Sequence, residues 1–155
     1  MADTAEHKLA AMGLSLPQAA APVAAYVPTV LSGGLLHLSG QLPFKDGKVM
    51  TGKLGDGVEL EEGQEAARAC ALMILAQAKA ALGGLGRVER VVKLGVFVNS
   101  APDFTDQPKV ANGASELLVA ALGDAGRHAR SAVGVAALPL GAAVEVDAIL
   151  QVRAG

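Results

Sequence analysis

The chain has 155 residues, of which 52% are hydrophobic, 18% are charged and 3% are aromatic, and its formal net charge at pH 7 is −2. This length favours one domain with one core, and the near-neutral charge and scarcity of aromatic rings argue against a nucleic-acid partner. The charged fraction lies below the roughly 25% of an average soluble domain, so we expect a homo-oligomer that buries apolar surface between subunits. The alternative is a monomer in which alanine merely replaces larger polar residues.

The cysteine content and the hydrophobic runs predict a cytoplasmic protein without a membrane span. A single cysteine, Cys70, excludes a disulfide within the chain and suits a reducing compartment. The N-terminal stretch MADTAEHKLAAMG has neither the basic nor the apolar region of a secretory signal. The run ACALMILA is shorter than the roughly 20 residues that a membrane helix needs. The longer uncharged run over residues 131–144 contains glycine and proline and alternates like a strand.

The first third of the chain predicts a short helix, an extended segment and two hairpins. Residues 2–12 suit a helix that Gly13 ends, and the Pro- and Ala-rich residues 15–25 suit an extended lead-in. The β-prone residues 26–31 and 35–39 flank the sequence SGG, whose glycines can take the positive φ angles of a tight turn. The sequence FKDGKVM predicts a smaller hairpin with Asp-Gly as its turn.

The rest of the chain predicts two helices and three strands. The strongest helix signal covers residues 60–82, where apolar residues recur at helical spacing and glutamates crowd the start. A strand over residues 91–98 follows, and then a helix over residues 106–122. Two further strands, over residues 128–137 and 143–152, close the chain.

This order of elements predicts an α+β fold with one domain over residues 1–155, in which residues 1–25 form the N-terminal helix and the lead-in. Strands interleaved with only two long helices imply a mixed sheet with both helices on one face. Several strands are apolar on both sides, so the opposite face also needs cover, which other subunits would supply.

The histidines and the cysteine form no catalytic or metal-binding motif. His7, His37 and His128 lie far apart and lack the H-E-x-x-H spacing or a cysteine partner, so we expect no metal site. Cys70 lies on the apolar stripe of the predicted long helix, as expected for an inert core residue. The sequence GGLG follows that helix, so we interpret it as the end of the helix and not as a phosphate-binding loop.

The last two strands carry the polar residues that point to a site. Because side chains alternate along a strand, Arg130 shares a face with small residues that leave room above the sheet, and Glu145 and Asp147 share a face of the other strand. If these strands are neighbours, the arginine and the carboxylates lie on one polar patch. A guanidinium in open space suits a carboxylate ligand, although the pattern alone slightly favours an internal Arg–Glu salt bridge at a subunit interface.

Several of these segments resemble the YjgF/Rid family. The resemblance rests on HLSGQLP at residues 37–43, a tyrosine thirteen residues before its serine, VKLGVFV at residues 92–98, and R-S-x-V followed by V-E-V-D in the last two strands. It covers roughly residues 26–152. The family is named for the deamination of reactive enamines and imines, and many members carry the older label L-PSP endoribonuclease.

The resemblance implies a chorismate-mutase-like fold and a homotrimer with clefts between subunits. By position, the family's substrate-binding arginine corresponds to Arg130 and its conserved glutamate to Glu145, and these two are the implied catalytic residues. Tyr26, Ser39 and, across a short insertion, Asn112 correspond to further substrate-binding positions. The implied activity is hydrolysis of small 2-imino or enamine acids to 2-keto acids and ammonia, without a metal or organic cofactor, with Arg130 holding the substrate carboxylate.

The chain also departs from the family pattern. Ala132 stands where many members have cysteine, AAY at residues 24–26 replaces Gly-Pro-Tyr, and the N-terminal extension and the insertion around TDQPKV are unusual. These departures predict a divergent subgroup whose cleft suits a different substrate. The alternatives are a non-catalytic protein that binds a small carboxylate metabolite and, against the composition, an endoribonuclease. The roles of Asp147, His37 and His128 stay open.

Overall fold

A computed structural model describes residues 4–22 and 24–155, and its main elements follow the predicted order. The predicted N-terminal helix is confirmed over its described part, and residues 2 and 3 lie outside the described residues. The helices are α1 (Thr4–Ala11), α2 (Leu60–Leu82) and α3 (Gln107–Leu122), and the strands are β1 (Thr29–Ser32), β2 (Leu35–Gln41), β3 (Phe44–Lys45), β4 (Lys48–Val49), β5 (Lys53–Leu54), β6 (Gly57–Val58), β7 (Val88–Asn99), β8 (Ala129–Val135) and β9 (Val144–Val152).

Helix α2 has the bounds that its sequence predicts because local residues cap both ends. At the start, the side chains of Glu59 and Glu62 each accept a hydrogen bond from the other's backbone N–H group, which forms a capping box. At the end, Gly83 adopts a φ of 79°, which glycine tolerates without strain, and donates its N–H to the Lys79 carbonyl oxygen at 2.8 Å. By contrast, the two-residue strands β5 and β6 were not predicted, since they are too short to show periodicity.

The five longest strands form one mixed sheet in the order β1-β2-β9-β7-β8. Neighbouring strands run antiparallel, except that β7 and β8 are parallel. Strands β8 and β9 are therefore not neighbours, and the premise of a shared patch on adjacent strands is wrong. The twelve-residue strand β7 lies between them and pairs with both.

The helices lie on one side of the sheet and enclose the core. Leu94, Val96 and Val98 of β7 contribute to this core and are at most 1% exposed. Helices α2 and α3 pack closely at Gly113, where an added Cβ atom would collide with the backbone oxygen of Gln64. The placement of both long helices on one face is confirmed, and α1 joins the same layer through the buried side chain of Leu9.

The other side of the sheet, the open face, has no covering layer within the described part of one chain. It carries the apolar residues Val30 and Val133, which are 51% and 46% exposed, together with the half-buried carboxylates of Glu145 and Asp147. Exposed apolar surface of this kind is typical of a contact with another protein. The predicted homotrimer would cover it, and that assembly stays a prediction.

Candidate functional site

Strand β8 places Arg130 on the helix side of the sheet. Arg130 lies level with Leu94 of β7, which in turn lies level with Ala148 of β9. Residues that lie level in neighbouring strands share a face, and both Leu94 and Ala148 are buried in the core beneath the helices. The Arg130 side chain therefore extends toward α3 and not toward the open face.

Three uncharged acceptors on α3 hold the Arg130 guanidinium. Nη1 donates to Asn112 Oδ1 at 2.9 Å and to Ser115 Oγ at 3.1 Å, and Nη2 donates to the Pro108 carbonyl oxygen at 3.3 Å. The structure thus brings two predicted site residues, Arg130 and Asn112, into contact. Within the described residues no carboxylate pairs with Arg130, and its Nε group has no hydrogen-bond partner. Arg130 therefore retains its charge and a free N–H for an anion.

Ser115 and His128 extend this hydrogen-bonded group in a fixed direction. His128 Nδ1 lies 2.6 Å from the Gly126 carbonyl oxygen. Because a carbonyl oxygen only accepts, Nδ1 carries the hydrogen, and Nε2 of the neutral imidazole is an acceptor. Nε2 then receives the Ser115 hydroxyl hydrogen over 2.9 Å. The Ser115 oxygen consequently presents its lone pairs to Nη1 of Arg130.

Ser115 was not predicted as a site residue from the sequence, and His128 had no predicted role. Two spacings carry the missing signal. His128 precedes Arg130 by two residues, so it projects to the same side of the extended chain. Ser115 follows Asn112 by three residues, which places both side chains on one face of α3.

Strand β9 places Glu145 on the open face, level with Phe97 of β7. Its carboxylate lies over Gly40 of β2, where an added Cβ atom would collide with Oε2. Partial burial raises the pKa of Glu145 above that of an ordinary glutamate, and the negative charge of Asp147 raises it further. A carboxyl group with a raised pKa is better matched to proton exchange near neutral pH than an ordinary one.

Asp147 is the second carboxylate of the open face, two residues beyond Glu145 in β9. It lies over Gly95 of β7, where an added Cβ atom would collide with Oδ1. Partial burial raises the pKa of Asp147, while the Gly95 backbone N–H and the charge of Lys93 act in the opposite direction. The negative charge of Asp147 favours the protonated form of Glu145, so Asp147 acts on Glu145 electrostatically.

A cavity of about 480 Å³ brings Glu145 together with Tyr26 and Ser39, two of the predicted substrate-binding residues. Tyr26 is 44% exposed. Ser39 donates its hydroxyl hydrogen to the Val27 carbonyl oxygen at 2.8 Å. Since a hydroxyl has one hydrogen and two lone pairs, Ser39 can offer a ligand only its lone pairs while this bond persists.

The predicted polar patch that joins Arg130 to Glu145 and Asp147 is wrong. Strand β7 separates β8 from β9, and the register places the arginine on the helix side and both carboxylates on the open face. The predicted room above the small residues of β8 is also filled at Gly134, where an added Cβ atom would lie 2.7 Å from Gln107 Nε2. The site residues therefore form an arginine group (Arg130, Asn112, Ser115, His128) and a glutamate group (Glu145, Tyr26, Ser39).

Other reactive side chains lie apart from these two groups. Cys70 is fully buried, donates to the Val144 carbonyl oxygen at 3.6 Å, and has a thiol pKa well above the usual value because of that burial. This confirms its assignment to the core. Across residues 4–22 and 24–155, the His, Cys, Asp and Glu side chains form no cluster that could hold a metal ion. No helix in the same residues is long and apolar enough to cross a bilayer.

Comparison with known proteins identifies the class to which this α+β fold belongs. The model of the YjgF/chorismate mutase-like endoribonuclease family matches residues 6–150. The chain therefore belongs to this family, which confirms the resemblance seen in its motifs. Protein TCP17 of Trypanosoma cruzi is 60% identical over 144 residues, which cover 92% of this chain and 90% of that protein.

Two further relatives span nearly the whole chain. The crystal structure of the protein Atu1372 from Agrobacterium tumefaciens has a TM-score of 0.92 and 50% identity, and the match covers 97% of this chain and 94% of that chain. The 2-iminobutanoate/2-iminopropanoate deaminase of Dermatophagoides farinae is 29% identical over 141 residues, which cover 90% of this chain and 95% of that protein.

Proposed function

We propose that the protein is a cytoplasmic deaminase that hydrolyses small reactive 2-imino and enamine acids to 2-keto acids and ammonia. The observation that carries this proposal is the environment of Arg130. Three neutral acceptors fix the guanidinium, and no carboxylate within the described residues neutralises it. Such a guanidinium is suited to bind a carboxylate ligand. The similarity to a 2-iminobutanoate/2-iminopropanoate deaminase supports the same reaction class.

The complete site forms between subunits of a homotrimer. In one chain Arg130 and Glu145 lie on opposite sides of the sheet, so a small ligand cannot contact both within that chain. In a cleft that combines the arginine group of one copy with the glutamate group of another, one small ligand can contact both Arg130 and Glu145. The apolar residues exposed on the open face and the low charged fraction of the sequence support such an assembly.

In this cleft, Arg130 binds the substrate carboxylate and thereby holds the imine carbon near Glu145 of the other copy. The Glu145 carboxylate accepts a proton from a water molecule as the water oxygen forms a bond to the imine carbon. When the attacked group is the protonated imine, Glu145 returns that proton to the nitrogen of the carbinolamine. It then takes the proton of the carbinolamine hydroxyl as the C–N bond breaks, so the C=O bond of the 2-keto acid forms, ammonia leaves, and Glu145 releases its proton to solvent. Tyr26 and Ser39 shape the cleft, and Asn112 keeps Arg130 in place. Positioning and one acid–base group supply roughly 10²–10⁴-fold acceleration.

A direct test generates 2-aminoacrylate in situ with a serine dehydratase and follows the loss of the imine. We expect wild type to exceed the buffer rate and Arg130→Ala to match the buffer rate, because the carboxylate anchor is gone. Arg127→Ala is the matched control. Arg127 is an exposed arginine whose side chain pairs with Asp124 and whose backbone carbonyl oxygen accepts a hydrogen bond from Arg90. A wild-type rate equal to buffer would exclude deamination of this substrate.

A second measurement separates catalysis from binding alone. Glu145→Gln should keep the affinity for a 2-keto acid while losing the rate, because the amide cannot accept the proton from water. A wild-type protein that binds 2-keto acids but turns over none of a panel of imino acids would instead be a non-catalytic carboxylate-binding protein.

A further inference from the structure

We propose that Gln77 is a positioning residue that ties an N-terminal strap across the glutamate-group cavity, and that this strap sets which substrate side chains fit. The strap consists of residues 20–22 and 24–28, most of which line the cavity beside Glu145. The inference rests on the proposed function for the identity of the ligand. It assigns the selected class as 2-imino acids with aliphatic side chains longer than a methyl group.

Gln77 is a polar residue on the buried side of α2, 3% exposed, between alanines 76 and 78. A buried amide is costly unless its hydrogens are bonded. Its Nε2 group donates one hydrogen to the Ala20 carbonyl oxygen at 2.6 Å and another to Gln41 Oε1 at 3.2 Å. Both partners line the cavity. Core packing needs no amide at this position, whereas attachment of the strap does.

The hydrogen bonds continue from Gln41 to the far end of the strap. Gln41 Nε2 donates to the Ser39 carbonyl oxygen at 3.0 Å. The Ser39 hydroxyl then donates to the Val27 carbonyl oxygen at 2.8 Å, and the Ser39 N–H donates to the Pro28 carbonyl oxygen at 2.9 Å. The strap is therefore attached to the body of the domain at both ends.

Helix α1 anchors the chain that leads into the strap. Its Leu9 is 1% exposed within the core, and Glu6 forms an ion pair at 2.8 Å with Lys79 of α2, two residues beyond Gln77. Helix α2 thus holds both the start of the N-terminal segment and the near end of the strap. With these attachments, the strap can act as a fixed wall of the cavity.

The wall consists mostly of small apolar residues. The strap lines the cavity with three alanines, two prolines and Tyr26, and Leu42, Phe44 and Pro139 line it from the body of the domain. These groups give an aliphatic side chain carbon contacts and offer little to a charged one. A volume of about 480 Å³ exceeds what a substrate with only a methyl side chain fills, and it lies within the usual range of ligand pockets.

The decisive experiment compares Gln77→Met with Gln64→Met in the full-length protein. Met has nearly the shape of Gln but cannot donate hydrogen bonds. Gln64 lies on the same helix and also donates to a backbone carbonyl, that of Lys109, but it does not line this cavity. Imines are generated from alanine and from leucine with an amino-acid oxidase, and kcat and KM are measured for each.

We expect Gln77→Met to raise KM for the leucine-derived imine about tenfold, the loss expected when roughly two methylene groups give up their apolar contact. KM for the alanine-derived imine and kcat for both should change less than about twofold, since carboxylate binding and proton transfer use other groups. Gln64→Met should leave unchanged the ratio of the KM for the leucine-derived imine to the KM for the alanine-derived imine. An unchanged ratio in Gln77→Met, or an equal change in Gln64→Met, would overturn the proposal.

A second readout does not depend on catalysis. Tyr26 is the one tyrosine of a chain without tryptophan, so its fluorescence reports on the strap alone. We expect acrylamide to quench this fluorescence more strongly in Gln77→Met than in wild type or Gln64→Met. Unchanged quenching would show that Gln77 does not hold the strap, whatever the enzyme activity.

Two provisions keep the proposal testable. If Gln77→Met does not fold, Gln77→Ala replaces it, because alanine favours the helix and leaves space for water to bond Gln41. If wild type turns over no imine, the proposed function fails independently of this proposal. The ratio of the dissociation constants for 4-methyl-2-oxopentanoate and pyruvate then replaces the ratio of KM values. A ratio that Gln77 variants leave unchanged in that assay would equally overturn the proposal.

Discussion

The arginine group and the glutamate group differ in how their charges are balanced. Arg130 is fixed by three neutral acceptors on one helix, so its position is defined while its charge is left free. Glu145 has no ion-pair partner in the described part of the chain, and burial together with Asp147 raises its pKa. In the proposed function, the first group holds an anion and the second exchanges a proton. That proposal assigns binding and proton transfer to opposite sides of one sheet.

The largest expected effect tests whether the two groups act across subunits. Arg130→Ala and Glu145→Gln chains, each inactive alone, are mixed, unfolded and refolded together, and imine loss is measured. In a closed ring each cleft takes one group from each of two neighbours, so random mixing restores about a quarter of the wild-type activity. Each variant refolded alone is the control. No recovery in the mixture, despite mixed oligomers, would place both groups of a working site in one chain.

A second prediction separates the two carboxylates of the open face. In Gly40→Ala the new Cβ atom displaces the flexible carboxylate of Glu145, so the fold is retained while kcat falls about 100-fold, the size of a typical acid–base contribution. Gly95→Ala displaces Asp147 in the same way and is the matched control, with an expected loss below about threefold. Steady-state kinetics with 2-aminoacrylate measures both. Equal losses in the two variants would contradict the distinct role of Glu145.

The elements of this fold were predictable where local chemistry determines them. Helix α2 begins and ends where its glutamates and Gly83 cap it, and the turn at Asp46 and Gly47 has the positive φ angles that Asp-Gly favours. The neighbours of each strand were not predictable, because period-two alternation fixes the face of a strand and not its partner. That is why β7 could lie between β8 and β9 without any local sign.

The sequence allowed a candidate site to be predicted as a set of residues, which stays a prediction, but not as an arrangement in space. Family motifs located Arg130, Glu145 and Asn112, but their division between two sides of the sheet depends on strand order. Gln77 illustrates the same limit. Gln77 lies in a helix of mostly apolar residues and belongs to no motif. Its hydrogen bond to Ala20 is seen only in the fold, where the N-terminal segment lies against α2.

A smaller effect is expected at the support of the arginine group. Ser115→Ala removes one of the three acceptors that hold Arg130, so KM should rise about fivefold, the equivalent of one net hydrogen bond, with kcat nearly unchanged. Ser131→Ala is the matched control, because Ser131 lies next to Arg130 in β8 but faces the other side of the sheet. A fall in kcat without a change in KM would show that Ser115 takes part in proton transfer instead of positioning.

The smallest expected effect is a shift in pH dependence that Asp147 controls. Glu145 acts as a base only when ionised, so kcat/KM should rise with pH through its pKa and then level off. Burial and the charge of Asp147 both raise that pKa. Asp147→Asn removes the charge and leaves the burial, so the acid limb of the profile should move to lower pH.

Asp124→Asn serves as the control for this shift, since Asp124 is an exposed aspartate whose ion-pair partner is Arg127. The acid-side rate should therefore increase in Asp147→Asn and not in Asp124→Asn. A limb that stays in place would mean that another group titrates it. A loss of activity at every pH in Asp147→Asn would mean that Asp147, and not Glu145, is the carboxylate that must lose its proton, because the asparagine amide cannot act as a base. Either result would contradict the proposal that Glu145 is the base and that the charge of Asp147 raises its pKa.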